Sequence, residues 1–496
     1  MLTTTRLALV AAAAMTMVAC GGSDSSSPPP DGGTQPGTMS TVVGTISGFG
    51  SVIVNGVKFD DSRAAVTMDG AVAARDRLRV GMVVQIRGRI RADGTGTADS
   101  IRYEDCVEGP ITAMNQVQNT LTVLGQTVHV DDGTVFDGVT LRDMNSFSVG
   151  DTVEVSCLPD PVSNRFQATR MERKGTFANG VTEMEVKGPV ANLNLAAGTC
   201  TIGGLTVNFS GIAASERPVG LANGMTVEAG GRGYANGVLT ADRLRDRDRD
   251  RIQTPDGDGF EIEGYVSDFV SITSFKVNGQ AVNASNATIR NGTAADIANG
   301  LKVEVEGTMV NGILVARVVA IRLQTSVRVE AGMQTKDAAL ATITLLGRAI
   351  KVTAETRLTD RLASASQPVA ITLASLNVGD RLEVQAYKDG SANLVATQVE
   401  RTAPDQRVVV KGPADSKQPV TAIKLAGFDI ATSAGTRYRD ESGSLIDAAS
   451  FYGLVQTPPA PPTMVHAHGV VASFLVNTVD ATRTVATDGE LEIHRE

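Results

Sequence analysis

Apolar and polar residues alternate along this chain in short bursts, and one burst keeps returning. The pattern Gly-x-x-apolar-polar-apolar-x-Gly appears as GMVVQIRG at Gly81–Gly88, GDTVEVSC at Gly150–Cys157 and GMTVEAGG at Gly224–Gly231. It appears again as GLKVEVEG at Gly300–Gly307, GDRLEVQA at Gly379–Ala386 and, degraded, PTMVHAHG at Pro462–Gly469. Within each copy the apolar residues fall two apart, as at Val84 and Ile86 or Val303 and Val305. A period of two predicts a strand with one buried face.

Upstream of each copy sits a turn between apolar residues, at Gly56, Gly125, Gly204, Gly279, Gly347 and Gly427. Asn-Gly and Gly-Gly there predict tight hairpins, because two-residue turns need positive φ. An opening strand precedes each turn (VVGTI, VEGPI, VKGPV, IEGYV, VEAGM, VVKGP), and a closing strand follows every copy but the last. Only Thr293–Gly300 and Ser444–Gly453 suggest short helical turns. The prediction is an all-β chain of about six tandem repeats, each a small five-stranded OB-like barrel, since short strands with one apolar face must close to hide their edges. Small β-sandwiches built from the same strands are the alternative. The glycine-rich SGFGSVIVNGVKFD, Ser47–Asp60, reads as strand and hairpin, because no helix start follows it to receive a phosphate.

These signals divide the chain into a signal peptide at 1–19, a flexible Gly/Ser/Pro tether at 20–40, and six modules: 41–105, 106–178, 183–251, 259–324, 326–402 and a divergent 406–496 with a proline-rich insertion. Arg6, the apolar run Leu7–Val18 and the stretch MVAC make up the leader. The run is too short to span a bilayer and suits a secretory signal. MVAC resembles the lipobox of bacterial lipoproteins, with Cys20 as the lipidated residue, and Gly21 after it points to the outer membrane.

The order of signals also resembles a bacterial family of secreted repeats, domain of unknown function 5666. The residues that carry this are Gly44–Phe59 with Arg77–Gly88, then Val107–Ile111 with Thr120–Val128; the likeness fades through the later units. The resemblance implies an exported β-rich lipoprotein and brings no catalytic residues with it.

The formal charge is −9, tryptophan is absent and aromatics make up 4%. An acidic chain poor in aromatics argues against a nucleic-acid partner. The run from Asp242 to Gly259 alternates Arg and Asp and reads as a solvated strand end entering a linker; an EF-hand reading on Asp246, Asp248 and Asp250 fails at Arg251, which stands in place of the turn glycine. Cys106 and Cys157 are a candidate disulfide in an exported compartment, since their strand ends meet in an OB-like barrel, although strand parity puts Cys157 inward and Cys106 outward. Cys200 is left over, as a buried thiol. His466 and His468, two apart on one strand, are the candidate metal ligands. The repeat equivalents of His466, Gln85, Glu154, Glu228, Glu304 and Glu383, are polar, which predicts that His466 and His468, on the same side of the strand, face water.

No nucleophile elbow or Cys-x-x-Cys is present, and no cofactor is expected. The functional expectation is a non-catalytic envelope lipoprotein that binds or spaces, an extended string of modules anchored to the membrane by its lipid. An envelope protein or a glycan is the expected partner. A glycan-binding surface protein and a metal-binding protein using His466 and His468 are the alternatives.

Overall fold

In the computed structural model, strand one of module two (Val107–Asn115) shows how a repeat closes. Its first half pairs antiparallel with strand four (Asp151–Asp160), and its second half with strand two (Thr120–Val123). Strand two turns into strand three (Gln126–His129). Strand three runs parallel to strand five (Arg165–Thr176), which returns antiparallel to strand four. The ring one–two–three–five–four–one is the OB-like closure. It recurs in module one, module four, module five and module six. In module three strand five comes in two pieces, Val238–Thr240 and Arg243–Asp246. The structure describes residues 37–496 except 50, 117, 132, 140–143, 248–253, 323–326, 363–367, 390–391, 419, 442, 459–461, 471–483 and 495–496. The predicted signal peptide, Cys20 and most of the tether lie outside these residues, as do Asp248, Asp250 and Arg251.

The hairpins are the tight turns that the glycines predict. Asn55 and Gly56 have φ of 50° and 82°, and Leu124 and Gly125 repeat this at 43° and 71°. The turn residue then folds back over strand one. A Cβ on Gly109 would stand 2.5 Å from Leu124 Cγ, so this strand position must be bare. Between hairpin and strand four the chain adds a short strand parallel to strand five, such as Val135–Asp137, and a 3₁₀ turn such as Met144–Ser146. In module six the connector is an α-helix, Ala448–Leu454, capped by the Asp447 side chain.

Apolar residues from alternating strand positions fill each barrel. Val107, Ile111, Leu121, Val123, Val153 and Val155 of module two are all at most 1% exposed. Full burial of such side chains contributes about 1.5–3 kcal/mol each.

The modules do not hang in a string. Gly37–Glu496 behaves as one unit, in which the barrels join in pairs through strand one. Strand two covers only the second half of strand one, which leaves the first half an open edge, and a second module's strand one closes it. Val107 lies opposite Val186 of module three, and Val329 of module five opposite Val410 of module six, both antiparallel. Module one pairs instead with module four, in parallel, Ser40–Val43 along Gly259–Ile262. The expected extended rod is thereby replaced by clustered barrel pairs, because each barrel carries an edge that needs a partner.

Candidate functional site

Polar strand residues that point out of one barrel point into another. Glu154 and Glu228 are 9% and 0% exposed, so the expectation that this repeat position faces water does not hold. Alternation places these side chains outside their own barrel, but Glu154 is covered by Tyr103 of module one and Glu228 by arginines of its own module. The arginines of the Arg/Asp run meet these carboxylates. Arg243, Arg245 and Arg247 project from one side of strand five of module three. Arg243 Nη2 lies 2.9 Å from Glu185, Arg245 Nη1 3.3 Å from Glu228, and Arg247 Nη2 2.5 Å from Glu228. The front of the run is thus an ionic strip on buried Glu228, closed by buried Arg247 and with Arg245 still open to water, not a free solvated end. Alternating sign was the signal in the sequence, but not the burial of its partner.

A second ionic knot joins modules one and three. Lys187 Nζ lies 2.6 Å from Asp105, 2.7 Å from Glu185 and 3.1 Å from Asp69. Burial works against its charge, but the three carboxylates outweigh burial and hold the ammonium protonated, well above the ordinary lysine value. Among the described residues these carboxylates form the one group of three or more acidic, His or Cys side chains close enough together to hold a metal ion. The lysine already fills that role.

His466 and His468 belong to no such group. Their rings stand 5.8 Å apart, both are half-buried, and His468 Nε2 lies 3.8 Å from Glu490. Burial lowers the His468 pKa, against the pull of Glu490. Their burial departs from the solvated placement predicted, because strand one of module six and strand five flank them. Cys106 and Cys157 are joined by a disulfide, and Cys200 is a buried free thiol. Parity miscounts at this pair because strand four is irregular between Ser156 and Cys157.

A chamber of about 750 Å³ lies where modules one, two, four and five meet. Strands one and four of module four supply Glu261, Glu263, Lys302, Glu304 and Glu306. Strand five of that module adds Arg317 and Arg322. Module five adds Thr353, Thr356, Arg357, Gln385, Tyr387 and Thr397. Modules one and two contribute Asn55, Arg91, Asp131 and Gln167.

Most of these charges are matched. Lys302 Nζ lies 2.8 Å from Glu263, Arg322 pairs with Glu304 and Arg317 with Glu306. Glu263 also accepts hydrogen bonds from Thr45 N at 3.0 Å and Thr45 Oγ1 at 2.8 Å. Burial works to raise its pKa, but Lys302, Arg322 and Thr45 hold it down at about 2. Glu261, 6% exposed, is driven the other way. Burial raises it well above the carboxylate range, and Glu304 and Glu306 add to this. Arg357 is half-buried, enclosed by protein with part of its surface open to the chamber. Among the described residues no histidine or cysteine lines the space.

The chamber gathers residues from four repeats, and no single repeat contains it. The family profile described as "Domain of unknown function (DUF5666)" matches residues 41–102, 108–172, 187–245, 263–320 and 329–400. No curated protein matches the chain. Module six, outside these matches, closes by the same ring from Arg407 to His494. With its matches spread over more than half its length, the chain belongs to the DUF5666 family.

Proposed function

We propose that this chain is an exported lipoprotein, held at the outer membrane through acylated Cys20, which acts without catalysis as a binding protein. Its barrels gather around a chamber that takes a polar solute or a polar group of an envelope partner. The observation that supports this reading is the chamber itself. Its volume suits a small ligand, and Glu263, Glu304 and Glu306 are engaged by cations instead of standing free as acid and base. The tether of Gly, Ser and Pro residues lets the folded body stand off the membrane. Of the alternatives, a stacking glycan platform is the less favoured, since two tyrosines are the only aromatic residues in a wall of Thr, Gln, Glu and Arg. A metal role for His466 and His468 has only two imidazoles and one distant carboxylate behind it.

Two measurements test this. Cys20→Ala is expected to move the protein from the membrane fraction to the soluble fraction; retention in the membrane overturns the anchor. Thermal shift with neutral, anionic and cationic solutes is expected to show stabilisation that Thr397→Trp, which fills the chamber, abolishes. No response to any solute, or a response that survives the filled chamber, overturns the binding role.

A further inference from the structure

The six copies of one barrel serve as internal controls for one another, and one chamber residue departs from them. After the hairpin of module five, Thr356 Oγ1 accepts from Thr353 N at 2.8 Å and donates to Ala396 O at 2.7 Å. The same clasp holds Thr134 in module two, where Oγ1 accepts from Asp131 N and donates to Ala168 O. The next residue stands parallel to strand five. It is Ala65 in module one, Val135 in module two and Thr288 in module four. In modules five and six it is an arginine, Arg357 and Arg437. Arg437 lies opposite Glu490 and pairs with it, Nε to Oε2 at 3.4 Å. Arg357 lies opposite Gln398. The same geometry thus offers Arg357 an amide where its sister has a carboxylate. The other chamber cations with described bonds are occupied: Lys302, Arg317 and Arg322 by glutamates, Arg91 by Thr95 and Thr97.

We propose that Arg357 anchors a binding site for a small hydroxylated carboxylate, a compound of the sugar-acid class, in the four-module chamber. The inference rests on the chamber's being a binding site, as proposed above. A planar guanidinium that forms no ion pair among the described residues, with Glu263 and Glu400 acting on it only at a distance, is the donor that a planar carboxylate fits with two parallel hydrogen bonds. One uncommitted cation suits one negative charge. The threonine hydroxyls and the amides of Asn55, Gln385 and Gln398 around it suit hydroxyl groups, and the mixed charges of the wall disfavour a fatty chain.

Calorimetric titration of the full mature chain with D-glucuronate, D-glucose and inorganic phosphate tests this. Glucuronate is expected to bind saturably, and glucose about tenfold more weakly or worse. Arg357→Gln is expected to weaken glucuronate by about tenfold or more, as for loss of a charge-assisted pair. Arg437→Gln, whose arginine is paired within module six, is expected to leave binding unchanged. Arg357→Lys keeps the charge but not the fork and is expected to fall between wild type and Arg357→Gln. This second variant keeps the test valid if Arg357→Gln fails to fold. Absence of saturable glucuronate binding overturns the inference, as does an Arg357→Gln variant that binds like wild type. Phosphate binding more tightly than glucuronate overturns the sugar-acid class. If glucose binds as well as glucuronate and Thr397→Trp abolishes both, the role of Arg357 falls while the chamber's binding role stands. If no solute of any charge responds, both fall.

Discussion

Glu108 sits in the middle of a row of like charges. It lies opposite Glu154 of strand four on one side and Glu185 of module three on the other. Neighbouring strands are about 4.8 Å apart, so three carboxylates share a narrow strip. Lys174 neutralises Glu154 at 2.7 Å and Lys187 neutralises Glu185 at 2.7 Å. Among the described residues Glu108 has no ion pair of its own. Burial raises its pKa from 4.5 to about 7, with Lys174 pulling it down and Glu154 and Asp69 pushing it up. A raised carboxyl pKa means that between pH 4.5 and 7 the folded protein binds the proton and the unfolded chain does not. Stability therefore falls as pH rises through that window. At 1.36 kcal/mol per pKa unit the whole shift corresponds to about 3 kcal/mol, and to about 2 kcal/mol once water around a partly exposed strand is allowed for. Glu108→Gln removes the titration and keeps the shape of the protonated acid. Hydrogen exchange of the amides of Val107–Asn115, compared between variant and wild type at the same pH, reads the local stability. At pH 8 the variant is expected to be about 30-fold better protected, and at pH 5 to match wild type within about threefold. Equal protection at both pH values, or poorer protection of the variant at pH 8, refutes the argument.

Two further outcomes follow from the same interfaces. Replacing Cys106 and Cys157 by serine is expected to cost about 4 kcal/mol, from the loop entropy of a cross-link spanning 51 residues. The check is a lowered calorimetric transition of the double variant relative to the oxidised wild type, a gap that closes when wild type is reduced. Lys187→Met strands buried Asp105 without its counter-ion, while Glu185 keeps Arg243, and is expected to cost about 3–5 kcal/mol, measured as lost exchange protection in both Val107–Asn115 and Met184–Asn194. Unchanged protection in either strand contradicts the role given to the ammonium.

The barrels were legible because their signals are local. Alternation at Val84 and Ile86, the Asn-Gly turn at Asn55 and Gly56, and the repeated glycine of strand one each act within a few residues. The association of the barrels was not legible. Nothing near Ser40 or Gly259 announces that module one joins module four, since that contact is made by backbone edges far apart in the chain. The repeat-position glutamates misled for a related reason. Period two separates the inside of a barrel from its outside, and it cannot tell water from other protein packed on that outer face. Glu228 looks like a surface residue in sequence and is fully covered by Arg243, Arg245 and Arg247 from the next strand of its own module. The chamber was invisible for both reasons together, because it draws Asn55, Gln167, Glu263 and Arg357 from four modules.

The half-covered first strand carries a rule about arithmetic. Every barrel brings one open half-edge, and two barrels cancel it between them, so the stable number of copies in a chain of this build is even. Deleting one barrel from such an array, or gaining one by unequal recombination, leaves a single strand seeking a mate. The surplus copy then has to find its partner on a second molecule, which turns a change in repeat number into a change in oligomeric state.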